Sequence, residues 1–158
     1  MPSPTCLALL QALSQTIGIE LSFDERQHCM LMLDDDILIS LRCLDDDTLG
    51  LYGLLGEFPQ PRPAADLMAL LSVNLMLMER CGMSVGLDRA TDAVLLLERL
   101  PVAGITREDI ADRVAQFADQ VRKLVGWLRE RDDAGGPSED EMPALSAPHA
   151  IVAFGQIV

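Results

Sequence analysis

Leu67-Met-Ala-Leu-Leu-Ser-Val-Asn-Leu-Met-Leu-Met78 is the stretch that decides the fold of this 158-residue chain. Ten of its twelve residues are apolar, and most of them are strong helix formers. A helix that is apolar all round has to be covered on every side, which one small fold can hardly do. Twelve helical residues span roughly 18 Å, too little for a bilayer core of about 30 Å. We therefore predict that a second copy of the chain covers the side that its own fold leaves open.

Composition narrows the class of protein. Apolar residues make up 49% of the chain and aromatic residues only 4%, so the core has to be built from aliphatic side chains and methionine. The formal net charge is −13, which disfavours nucleic acid and anionic membranes as partners. The first seven residues show no signal-peptide pattern, and no apolar run is long enough to span a bilayer. We expect a cytoplasmic protein without membrane insertion.

The predicted element order is that of an α+β domain over residues 1–131. It consists of a helix, an antiparallel strand meander, a central apolar helix, a β-hairpin and a long C-terminal helix. Ser3 and Gly18 are expected to cap the first helix. The predicted ranges are a helix over 4–17, strands over 20–24, 27–33, 37–44 and 49–56, a helix from about 63 to 80, strands over 83–88 and 92–100, and a helix over 110–131.

Residues 132–158 have a different composition. They contain five acidic residues and no Lys or Arg, and they include Gly135-Gly-Pro137. This predicts an acidic, flexible tail. Its last residues, 150–158, are apolar, and we hypothesise that they cover a groove on the domain until a partner arrives.

Residue patterns that carry catalysis or bind metals are weak in this sequence. The triplets Asp34-Asp-Asp36 and Asp45-Asp-Asp47 lack the alternating spacing, central Gly and terminal Glu of a calcium loop, and they are typical of hairpin turns. Magnesium held by these carboxylates with a substrate phosphate stays open as an alternative. His28 and Cys29 are adjacent on a strand, so they point to opposite faces. We predict no enzyme, no cofactor and no metal, and Cys29 and Cys43 as buried reduced thiols.

The chain resembles the class I type III secretion chaperones, the CesT/Tir-chaperone family, over about residues 4–131. The order and spacing of five segments carry the resemblance, and each segment alone is mainly apolar patterning. They are Ile17-Gly-Ile-Glu-Leu-Ser-Phe-Asp24, Cys29-Met-Leu-Met-Leu-Asp34, Leu51-Tyr-Gly-Leu-Leu-Gly-Glu-Phe-Pro59, Leu70-Leu-Ser-Val-Asn-Leu75 and Leu95-Leu-Leu-Glu-Arg-Leu-Pro101.

The resemblance implies a cytoplasmic homodimer that binds the N-proximal segment of a secreted effector and keeps it soluble and extended for secretion. It places the central helix at the dimer interface, with Leu67, Met68, Leu71, Leu75, Met76 and Met78. It places effector-binding apolar patches on the first helix and the neighbouring strands, with Leu7, Leu10, Leu13, Ile17, Met30, Met32, Ile39 and Leu41. The secretion-system ATPase is a candidate further partner. A chaperone-like protein that binds a transcriptional regulator or anti-activator of the same system is the alternative.

Overall fold

The computed structural model describes residues 2–34, 36–57 and 64–133. Three helices and five strands form the domain, with one short 3-10 turn at Val102–Gly104. In chain order they are α1 Pro4–Ile17, β1 His28–Leu33, β2 Ile37–Asp45, β3 Thr48–Glu57, α2 Ala64–Cys81, β4 Met83–Asp88, β5 Ala93–Pro101 and α3 Asp109–Asp133. None of the helices in these ranges is long and apolar enough to cross a membrane.

Both ends of α1 confirm the predicted caps. The Ser3 hydroxyl accepts a hydrogen bond from the Cys6 N–H at 3.2 Å, and Pro4 occupies the first helical position. At the other end Gly18 adopts a left-handed conformation with φ of 73° and donates its N–H to the Ser14 carbonyl. These local signals mark the start and the end of the helix, and the Ser3 N–H adds a long-range hydrogen bond to the Cys43 sulfur.

The strands form one antiparallel sheet in the order β1-β2-β3-β5-β4. The register aligns side chains of alternate positions on one face across all five strands, as pleating requires. We call the two faces inner and outer. The inner face carries the buried residues Cys29, Leu31, Ile39, Leu41, Leu51 and Leu96. The outer face carries Met30, Met32, Leu38, Tyr52, Leu54 and Leu95.

Two helices cover the inner face and close the core. α3 packs on β2 and β3, and α1 packs against α3. The approach of α3 is so close that a Cβ at Gly53 would overlap the Val121 side chain and meet the Phe117 ring at 3.2 Å. Glycine at position 53 therefore lets α3 lie directly on β3.

The third helix, α2, packs at the edge of the sheet. It contacts β4, and the Asn74 side-chain oxygen accepts a hydrogen bond from the Val85 backbone N–H at 2.6 Å. Val73 and Leu77 are its fully buried side chains. An edge strand presents unpaired backbone groups, and Asn74 satisfies one of those on β4.

The predicted strand over residues 20–24 does not form. These residues precede β1 and have no ladder partner among the described strands. The Ser14 hydroxyl donates to the Ile19 carbonyl at 2.5 Å and accepts from the Leu21 N–H at 3.2 Å, which ties the segment to α1. Alternation of apolar residues in this segment therefore reflects packing on a helix. The other elements match their predictions within about two residues, and the predicted tail from residue 134 lies outside the described residues.

Candidate partner-binding surfaces

The first candidate surface runs along α2. Leu67, Met68, Leu71, Leu75 and Met78 are all exposed and form a helical stripe, which we call the α2 stripe. Met68 is 65% exposed and Leu71 is 64% exposed, although each is a large apolar side chain. All six residues predicted for the dimer interface therefore lie outside the core, the sixth, Met76, being half-buried.

The second candidate surface is the outer face of the sheet. Met30 is 65% exposed and Met32 is 53% exposed, although both lie within a strand. Next to them is a hollow of about 220 Å³ whose lining spans β1, β2, β3 and β5. The lining residues are His28, Met30, Leu38, Ser40, Arg42, Tyr52, Leu54 and Leu95. On a small protein, a contiguous exposed apolar surface of this kind indicates a binding site for a partner.

The charge of this hollow differs from that of the chain. The chain carries a formal net charge of −13, yet the lining contains Arg42 and His28 and no acidic residue. The Arg42 guanidinium stacks over the Tyr52 ring, 5.0 Å from its centroid. Because the ring and the charge hold each other in place, the hollow offers apolar contact together with one fixed positive group.

The third candidate surface is a groove of about 630 Å³ between α1 and the segment that precedes β1. Leu7 lies on its wall and is 45% exposed, while Leu21 and Phe23 are half-buried on the other wall. Ser14, which bonds both to Ile19 and to Leu21, holds the two walls together. Ser14 could not be recognised from the sequence, since a serine inside a helix gives no signal of such a role.

The predicted effector-binding residues divide into two groups. Leu7, Met30 and Met32 are exposed, and Ile17 is half-buried. The other four are core residues with at most 3% of their surface exposed, namely Leu10, Leu13, Ile39 and Leu41. Leu13, Ile39 and Leu41 are therefore corrected as contact residues, because Leu13 points from α1 into the core and the other two lie on the inner face. These core side chains pack beneath the exposed residues of the two surfaces. Leu10, although only 3% exposed, lines the groove beside α1 and stays a predicted contact residue.

The described residues contain no cluster of His, Cys, Asp or Glu suited to a metal ion. Cys6, Cys29 and Cys43 are buried free thiols, which confirms the predicted burial of the latter two. Burial, together with its contact to the Cys43 thiol, raises the pKa of the Cys6 thiol to about 11. At neutral pH this thiol is therefore protonated and a poor nucleophile.

One buried carboxylate stands out among the titratable groups. Glu98 lies on the inner face of β5, is 3% exposed and pairs with the Arg113 guanidinium on α3. Burial raises the pKa of Glu98, and the nearby Arg113 charge offsets part of that rise. Its second oxygen, Oε2, has no hydrogen-bond partner within the part of the chain that the structure describes. The pair connects β5 to α3.

An α+β domain with three apolar surfaces of this kind belongs to the class of small protein-binding modules. Residues 8–125 match the model of the Tir chaperone protein (CesT) family, which is more than half of the chain. The chain belongs to this family. A Tir chaperone of Citrobacter freundii is 30% identical over 117 residues, covering 73% of this chain and 74% of the relative.

Solved structures show the same fold. The structure of the HopA1-SchA chaperone-effector complex contains a chain that matches with a TM-score of 0.67 and 20% identity, covering 77% of this chain and 94% of that chain. The ExsC-ExsE complex matches with a TM-score of 0.64 and 23% identity, covering 77% of this chain and 92% of that chain. Helices, sheet and element order are therefore those of the family.

Proposed function

We propose that this protein is a cytoplasmic chaperone that binds the N-proximal segment of a secreted effector and keeps it extended and soluble for type III secretion. Family membership supports the class of activity, and the name of the relatives, Tir chaperone, supports a secreted protein as the cargo. The observation that carries the proposal is the open outer face, where Met30 and Met32 are exposed on a strand. The proposal contains no catalytic step.

The proposed active form is a homodimer formed through the α2 stripe. An apolar side chain of leucine size contributes roughly 1.5–3 kcal/mol when it is fully buried. Pairing two α2 stripes around a two-fold axis buries the same residues from both copies, so the gain doubles. Dimerisation through α2 leaves the outer face and the α1 groove to the effector.

The effector is proposed to bind as an unfolded segment. Burial of apolar surface contributes about 25 cal/mol per Å², and ordering of the segment opposes it. An apolar segment laid over the outer face and into the α1 groove loses its exposed surface, which prevents aggregation. A segment that contacts both surfaces has to pass around the β1 edge from the outer face to α1, and it is therefore extended. The ATPase of the secretion system stays a predicted further partner.

The test begins with capture and continues with mapping. The tagged chain is purified from the bacterium that encodes it, and the protein that comes with it is identified by mass spectrometry. Its N-terminal portion of roughly 150 residues and its remainder are then expressed separately, and their affinities for the chain are measured by calorimetry. We expect binding of the N-terminal portion alone. A partner that binds only through a folded C-terminal domain contradicts the proposal, and a transcriptional regulator or anti-activator as the main partner supports the alternative.

Variants locate the binding surface. Met30→Ser with Met32→Ser removes apolar contact on the outer face, and Leu7→Asp places a charge on the wall of the α1 groove. Each is expected to weaken effector binding at least tenfold, since a buried side chain of this size is worth about 1.4 kcal/mol or more. Leu87→Asp serves as the matched control because Leu87 is also exposed on a strand and lies outside both surfaces.

A further inference from the structure

We propose that residues 150–158 of this same chain dock on the outer face of the sheet while no effector is bound. Seven of these nine residues are apolar and none is charged, in Ala150-Ile-Val-Ala-Phe-Gly-Gln-Ile-Val158. The outer face offers matching chemistry, with the exposed Met30 and Met32 beside a hollow of about 220 Å³. Docking itself does not depend on the proposed function, whereas competition with an effector does.

The length of the intervening chain permits this contact. α3 ends at Asp133 on the inner side of the sheet, so the chain has to pass around one edge. A five-stranded sheet is about 19 Å wide, so even a path across its full width plus about 10 Å of thickness is about 30 Å long. The roughly sixteen residues from 134 to 149 span about 22 Å as a random coil and up to about 50 Å when extended. The connecting stretch is therefore long enough for the segment to reach the outer face.

Charge favours the same arrangement. Glu139, Asp140 and Glu141 lie in the connecting stretch, which contains no Lys or Arg. The hollow contains Arg42 and His28 and no acid, so an acidic chain passing its rim gains attraction where most of this protein would repel it. The attraction is screened by salt and serves to direct the segment, while the apolar residues supply the contact.

Because the segment is attached to the same chain, a weak contact is sufficient to keep it docked. A segment on a short flexible connection has an effective concentration in the millimolar range. A docking affinity that would be negligible between separate molecules therefore keeps the outer face covered within one chain. An effector segment has to displace it, and its apparent affinity falls by the fraction of molecules that are covered.

Photo-crosslinking in the free full-length protein tests the docking directly. Benzoylphenylalanine replaces Phe154, and the crosslinked peptides are identified by mass spectrometry. The expected product joins residue 154 to the peptide that contains Met30 and Met32, because benzophenone reacts readily with methionine. Benzoylphenylalanine in place of Leu145, in the connecting stretch, is the control and should not give that product. Crosslinks scattered over the chain, or concentrated on the α2 stripe, overturn the proposal.

Isotope mixing distinguishes docking within one chain from docking between two chains. Nitrogen-15-labelled and unlabelled copies are mixed before irradiation, and same-chain docking gives products with a single label. Products of mixed label, expected as about half of the total at equal mixing, mean that the segment docks on a second copy, which also overturns the proposal.

A chain that ends at His149 gives an independent readout. Its outer face should be open, so it should bind more of the dye 1-anilinonaphthalene-8-sulfonate than the full chain does. Adding Met30→Ser and Met32→Ser should abolish that increase. Equal dye binding by the full and shortened chains contradicts docking.

Once an effector is identified, the shortened chain should bind it about tenfold more tightly if the covered form predominates ten to one. Failure of this last result alone leaves docking intact and removes the competition.

Discussion

Glu98 shows how one buried side chain makes folding depend on pH. Burial raises the pKa of Glu98 in the folded protein, so the native state binds a proton that the unfolded chain has already released. The free energy of unfolding contributed by this residue therefore falls as pH rises from the ordinary Glu value through the raised one. Arg113 limits the loss because it pairs with the ionised form.

Glu98→Gln removes this titration. The free energy of unfolding of the variant minus that of the unmodified protein is expected to increase as pH rises above about 4.3, the ordinary Glu pKa, and then to level off. Urea unfolding at a series of pH values measures the difference. Glu130→Gln, which removes an exposed carboxylate from α3, controls for the change in net charge. A difference that is flat with pH, or that decreases, would show that Glu98 is ionised without penalty.

Gly53 sets the distance between α3 and β3. Gly53→Ala places a methyl group against Val121 and Phe117, and overpacking of this kind costs roughly 1–3 kcal/mol. Adding Val121→Ala should recover part of the loss because it provides the space, although it removes apolar contact as well. Gly104→Ala, at a position with no atom within 4 Å, is the matched control. Thermal unfolding of these three variants and of the unmodified protein gives the comparison, and a neutral Gly53→Ala would contradict the close approach.

Among the elements, α2 shows which structural features the sequence predicts and which it does not. The run from Leu67 to Met78 predicts a helix whose two sides both have to be buried. In the structure one side is buried through Val73 and Leu77, and the opposite side is the exposed α2 stripe. The pattern alone cannot tell which residues face the core, since nearly every position is apolar. Contact with β4 decides it, and that contact depends on the order of strands in the sheet.

Leu71→Asp tests the role of the α2 stripe. Leu71 is 64% exposed in a single copy, so the variant should fold, but the charge would be buried in the proposed dimer interface. We expect a monomer by sedimentation velocity where the unmodified protein is a dimer. Leu7→Asp is the control, since Leu7 is an exposed leucine on another helix and the variant should remain dimeric. A dimer of Leu71→Asp with unchanged affinity would place the interface elsewhere.

The segment over residues 20–24 was the element that the sequence mispredicted. Leu21 and Phe23 alternate with polar residues as in a strand, yet a strand requires a neighbour in the ladder, and the described residues supply none at that position. The same limit explains the burial of Leu10 and Leu13. Helical spacing identified an apolar side of α1 but did not show that this side faces α3, while Leu7 faces the groove.

For the whole molecule, the proposed dimerisation links the free energy of unfolding to protein concentration. If folding and association are coupled through the α2 stripe, the midpoint of thermal unfolding should rise with protein concentration. Differential scanning calorimetry over a hundredfold range of concentration checks this, and Leu71→Asp should show a midpoint that does not change. A constant midpoint for both proteins would show that each copy is stable alone.

The class of fold and the order of its elements followed from local signals: caps at Ser3 and Gly18, alternation along the strands and helical spacing in α3. The position of β5 between β3 and β4 did not follow from local signals, because it depends on pairing between residues far apart in the chain. The candidate surfaces share this limit. Exposure of Met30 depends on which face of the sheet the helices cover, and no pattern within β1 states that.

The Asn74 side chain bonded to Val85 has a consequence for how these molecules meet at high concentration. Two sheets that both offer free edges can join side by side without limit, and this is how edge strands start fibrils. Here α2 obstructs the β4 edge, so a sheet can be extended only at β1. At β1 each copy can pair with one further sheet, so a continuous sheet is limited to two copies. Longer assemblies would need β1 pairing in addition to dimerisation through the α2 stripe, which makes the exposed β1 edge the place where association has to be controlled.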